Sequence, residues 1–66
     1  MTRRENLKRV DMAWQYCLKA DKAVQDLLSK AEYARNEELA KAFEAVHKML
    51  VECRIILFHC YQQMKE

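Results

Sequence analysis

Apolar positions recur along the first half of the chain at alternating spacings of three and four. Leu7, Val10, Trp14, Cys17, Val24, Leu28 and Ala31 form one stripe, flanked by Ala13, Ala20 and Leu27, with Asp21 as the single interruption. A second run, Leu39, Phe43, Val46, Leu50, Cys53, Leu57, Cys60 and Met64, keeps a heptad spacing throughout. Between them, Lys30 to Asn36 loses the apolar pattern. Thr2-Arg3-Arg4-Glu5 has the form of a capping box and predicts where the first helix starts. Asn36 suits either the cap of a second helix or a left-handed position closing the first. The pattern predicts an all-α antiparallel two-helix hairpin: helix 1 over about 3–31, a turn over about 32–36 and helix 2 over about 37–64. The alternative is one unbroken helix in a long coiled coil. In the hairpin the two stripes face each other, Trp14 is substantially buried and the cysteines sit on the seam.

Composition supports helix and little else. The 66 residues include no Gly and no Pro, so hairpin turns of β type and phosphate-cradling loops have no specialised residue. At 52% hydrophobic, the chain carries more apolar surface than two helices can hide from each other. Residues 55–58, Ile-Ile-Leu-Phe, are apolar all round the helix. If helix 1 covers Leu50, Cys53 and Leu57, then Val51, Ile55 and Phe58 lie behind, with Ile56 beside them. These four residues are the expected partner-binding surface, serving a partner protein or a second copy of the chain.

Charge narrows the function classes. Lys and Arg number 12 against 10 Asp and Glu, a net charge of +2 that does not mark a dedicated nucleic-acid binder. The bases Arg3, Arg4, Lys8 and Arg9 gather where a helix N-terminus disfavours cations, which makes them candidate contacts for an anionic partner, or a solvated end. No run of 18 apolar residues is present, so no membrane span is expected, and an odd count of three cysteines without a leader-like segment predicts a cytoplasmic protein with reduced thiols.

Chemistry finds few candidates. Cys53 and Cys60 are a heptad apart, about 10 Å along a helix, which is unlike the close ligand pairs of zinc sites. His47 and His59 flank the second stripe without an evident nucleophile. No catalytic residue, metal or cofactor is expected, and the protein is read as a non-enzyme.

The layout of the chain, with Tyr33 near the turn and a second helix ending Glu52-Cys53-Arg54-Ile55-Ile56-Leu57-Phe58-His59-Cys60-Tyr61, resembles the small co-chaperones of the type III secretion needle subunit. That resemblance implies a cytosolic heterodimer with a helical-repeat chaperone, keeping the needle subunit soluble and unpolymerised before export. Members of that family tend to carry Gly near the turn, and this chain has none. The chain is also similar in size and basic first helix to a plasmid-encoded RNA-binding hairpin that dimerises into a four-helix bundle. There Lys8, Gln15 and Lys22 would be the outer, nucleic-acid-reading stripe. A small protein inhibitor acting by helix docking is a third reading.

Overall fold

The structure, a computed structural model, describes residues 2–65. It is an antiparallel helical hairpin of two elements, α1 (Arg3–Tyr33) and α2 (Glu37–Lys65). The pair forms a rod of 48 × 14 × 13 Å.

Each helix end is held by an identifiable device. The Thr2 side chain accepts a hydrogen bond from the Glu5 amide at 3.2 Å, satisfying one of the unpaired amides of the first turn. At the far end Ala34 stays right-handed and Arg35 takes φ of 58°. The Arg35 amide then donates to the Glu32 carbonyl and the Asn36 amide to the Ala31 carbonyl, at 3.0 and 2.9 Å. This is the Schellman closure, with Arg35 where glycine is usual. Asn36 caps α2, its Oδ1 accepting from the Leu39 amide at 3.1 Å. Of the two roles open to Asn36, the capping one is taken. The left-handed residue is its neighbour, and the connection is three residues long. An unbroken helix is thereby ruled out.

The stripe of α1 faces inward as expected. Leu7, Val10, Trp14, Cys17, Val24 and Leu28 are half-buried and Ala31 is buried. The stripe is also longer than its apolar members suggest, because Asp21 occupies the missing heptad position and is only 1% exposed. Among the described residues, Asp21 and Ala31 are the two that are buried.

The seam of α2 differs from the expectation. Phe43, Leu50, Leu57 and Met64 are shared with the predicted seam, and Val46 stays half-buried at its edge. Leu39, Cys53 and Cys60, however, are exposed. Ala40, His47, Arg54 and Tyr61 take the alternate inward positions. The helix is thus turned about its axis by roughly 50°, half the angle between consecutive residues.

The cause is Asp21. With Cys53 central it would face an apolar wall, and an unpaired buried carboxylate costs several kcal/mol. Turning α2 brings His47 and Arg54 against it. The loss is partial burial of one leucine and two cysteines, about 1 kcal/mol for each such group.

Candidate functional site

The hairpin's centre is a four-residue polar cluster. Asp21 Oδ1 lies 2.6 Å from His47 Nδ1, while Asp21 Oδ2 accepts from Gln25 Nε2 at 2.9 Å and from Arg54 at 3.3 Å. Burial alone pushes the Asp21 carboxyl pKa up. The hydrogen bonds from His47 and Gln25 and the positive charges of His47 and Arg54 outweigh it and hold the pKa below the ordinary carboxylate value. A carboxylate orienting an imidazole through Nδ1 is also the geometry of a catalytic base with its orienting residue. His47 lines none of the three surface grooves described below. What the cluster does is fix the rotation of α2 against α1, and so decide which apolar residues face outward.

One outward face is built around Trp14. A groove of about 330 Å³ runs between Val10, Asp11 and Trp14 on α1 and Leu57, Phe58, Tyr61 and Gln62 on α2. It continues into a shallower apolar hollow lined by Trp14, Val51, Arg54, Ile55 and Phe58. Ile55 and Phe58 are each 53% exposed, and Val51 is half-buried. Trp14 is half-buried here, since α2 covers one side of its indole and the other forms the floor of the grooves. Arg54 spans from this hollow to Asp21, and its Nε is buried without an acceptor among the described residues.

Ile56 is not part of this face. It is 60% exposed and follows Ile55 by about 100°, which places it on the opposite side of the hairpin with Met49, Cys53 and Cys60. The four expected partner-binding residues therefore divide three and one between two faces. The cysteines are corrected as well: all three are free thiols, but Cys53 and Cys60 are solvent-exposed and only Cys17 is half-buried. Sequence periodicity missed this because it ranked Cys53 and Cys60 as seam hydrophobes and Asp21 as an interruption. The signal that could have found it is the spacing of Arg54 and His47, which are seven apart and level with Asp21 in an antiparallel pair.

The basic residues of the first turns do not converge. Arg3, Arg4, Lys8 and Arg9 are all exposed; Arg4 and Lys8, four apart, share one side of α1, while Arg3 and Arg9 lie on others. Arg3 has a structural partner: its Nε donates to the Met64 carbonyl at the C-terminal end of α2, where a cation is favoured. Near the turn, a second shallow groove is lined mainly by Glu32, Arg35, Asn36, Lys41 and Glu44 with Ala31 and Ala40, and is polar. Among the described residues, no helix is long and apolar enough to cross a membrane. No protein-family model, no curated protein and no solved structure matches the chain.

Proposed function

We propose that this protein is a non-catalytic binding module that docks a helical protein partner across the face floored by Trp14. The observation that supports the reading is the pairing of Trp14 with Arg54 in a hollow rimmed by Val51, Ile55 and Phe58. Tryptophan and arginine are the side chains that most often dominate association energies, and they do so when a surrounding apolar rim excludes water.

In the finer form of this proposal the partner is the helical-repeat chaperone of a type III secretion needle subunit, and the hairpin acts in the cytoplasm as co-chaperone to that pair. The resemblance in layout and in the apolar end of α2 is what favours it. The concave, helix-lined surface of a helical-repeat protein also suits a rod about 13 Å thick with an apolar side.

The test is binding to the purified chaperone by the parent and by the double variant Ile55→Asp, Phe58→Lys, with circular dichroism on both. The proposal expects the variant to keep its helicity and lose the complex. Retained binding would refute the Trp14 face. Binding by the parent that collapses between low and moderate salt would point to an anionic partner and favour the RNA-binding reading instead.

A further inference from the structure

Two of the three free thiols meet on the side of the hairpin away from Trp14. Trp14 and Arg54 line one hollow, and Cys53 precedes Arg54 by about 100° around α2, toward the other face. Cys17 lies three residues beyond Trp14, about 60° around α1 to that same far side. Asp21 reaches both His47 and Arg54, so its level on α2 is midway between them, at residues 50 and 51. Counted from there along antiparallel helices at about 1.5 Å per residue, Cys17 and Cys53 stand within about 3 Å of the same height.

The same count excludes the other pairings within the chain. A disulfide joins Cα atoms about 4.4–6.8 Å apart. Cys53 and Cys60 are about 10 Å apart along one helix, and Cys60 stands about 8 Å along the axis from Cys17.

The bond between Cys17 and Cys53 is coupled to the rotation of α2. Helices about 8–10 Å apart bring Cα atoms within disulfide reach where the two residues face each other directly. Cys17 is half-buried in the inward stripe of α1, whereas Cys53 is exposed beside the seam of α2. Closing the bond therefore favours a turn of α2 that brings Cys53 inward. Asp21 opposes that turn, because it carries His47 and Arg54 away from the carboxylate. It also takes Val51 and Phe58 further from α1.

We infer that Cys53 and Cys17 form a site of reversible oxidation by low-molecular-weight disulfides, whose closure turns α2, releases Asp21 and parts the rim of the Trp14 face. The Cys53 thiolate attacks one sulfur of glutathione disulfide, expelling one glutathione thiolate and leaving a mixed disulfide. The Cys17 thiolate then attacks Cys53 Sγ and expels the second. The two protons given up by the protein thiols pass to the two glutathione thiolates, so the protein loses two hydrogens and one glutathione disulfide becomes two glutathiones. Exposure sets the order, since Cys53 is open to solvent and Cys17 is half-buried. The reduced hairpin is the form in which Val51, Ile55 and Phe58 rim the hollow. Bond and turn both lie within one hairpin and do not depend on which partner the Trp14 face docks.

The experiment equilibrates the full chain, at low protein concentration, in glutathione buffers of stepped redox ratio. After quenching, trypsin leaves Cys17, Cys53 and Cys60 in separate peptides, 10–19, 49–54 and 55–65. Peptides 10–19 and 49–54 joined by a disulfide within a monomeric chain are expected, and Cys53→Ser should abolish the link. The coupling to rotation is read from intact mass on a Cys60→Ser background, which removes the third thiol. Adding Asp21→Leu, His47→Leu and Arg54→Leu removes the opposition and should shift the equilibrium constant at least about tenfold toward the disulfide, a reduction potential about 30 mV more negative. Asp21→Asn, which keeps the shape of the side chain, should shift it in the same direction by less. Mixed disulfides with glutathione that never close, links only between chains, or variants at Asp21 that leave the equilibrium constant at the parent's value would each overturn the inference.

Discussion

Replacing Asp21 by alanine removes the acceptor for three donors at once, from Gln25, His47 and Arg54. Each bond to a charged acceptor contributes about 1.5–3 kcal/mol in isolation, but the three share one carboxylate and do not add. Removing one partner of a buried ionic pair costs about 3–5 kcal/mol. The lower end applies here, because the rod is 13 Å thick and water stands close to both sides of the cluster, where Arg54 can reorient toward it. A loss of about 3 kcal/mol is expected, measured by urea denaturation at fixed protein concentration. That is a large part of the stability of a domain this small. The compensated variant Asp21→Leu, His47→Leu, Arg54→Leu should be at least as stable as the parent, since an apolar replacement of a whole buried cluster needs no desolvated charge. It should, however, let α2 turn back toward the seam containing Cys53 and Cys60, and so slow the reaction of those thiols with alkylating reagents. The pH dependence carries a definite sign. The folded-state pKa of Asp21 is held below its unfolded value, so its contribution is complete above about pH 4 and is lost as the pH falls through the lowered value. Asp21→Asn should flatten that acid limb. An Asp21→Ala protein that unfolds at the parent's urea concentration would show that the cluster does not set the packing.

Arg35→Gly should stabilise the hairpin by up to about 1 kcal/mol in the same denaturation assay, because the left-handed backbone at φ of 58° penalises a side chain bearing Cβ. Asn36→Ala should cost about 1 kcal/mol through loss of the cap on the Leu39 amide. Trp14→Ala should cost about 2 kcal/mol, less than a fully enclosed tryptophan would, since half of the indole is open to the grooves. Cys53 and Cys60 should be modified by a thiol reagent well before Cys17, followed by mass spectrometry of the peptides.

How much of this was legible in the sequence depends on the kind of signal. The two helices and the cap at Thr2 follow from local rules that act within a few residues; α1 runs two residues past the expected 31, to Tyr33, which leaves 34–36 as the connection. The inward face of α1 was legible for the same reason. The rotation of α2 was not, because it is decided by a contact between residues 26 and 33 positions apart, Asp21 with His47 and Arg54. Periodicity ranks positions by hydrophobicity, so it preferred Cys53 over Arg54. It has no term for the cost of leaving a carboxylate unpaired. Of the basic residues from Arg3 to Arg9, Arg4 and Lys8 share one side of α1, and Arg3 and Arg9 lie on others.

The claim that a partner docks on the Trp14 face can be tested directly, because Trp14 is the one tryptophan in the chain. Labelled with fluorotryptophan, the hairpin should give a fluorine resonance from that site alone, observed by NMR during titration with the unlabelled helical-repeat chaperone. A resonance that shifts in step with complex formation, and becomes insensitive to a solvent paramagnetic agent, is the predicted result. A complex that forms while the Trp14 resonance stays unshifted and solvent-accessible would contradict the account.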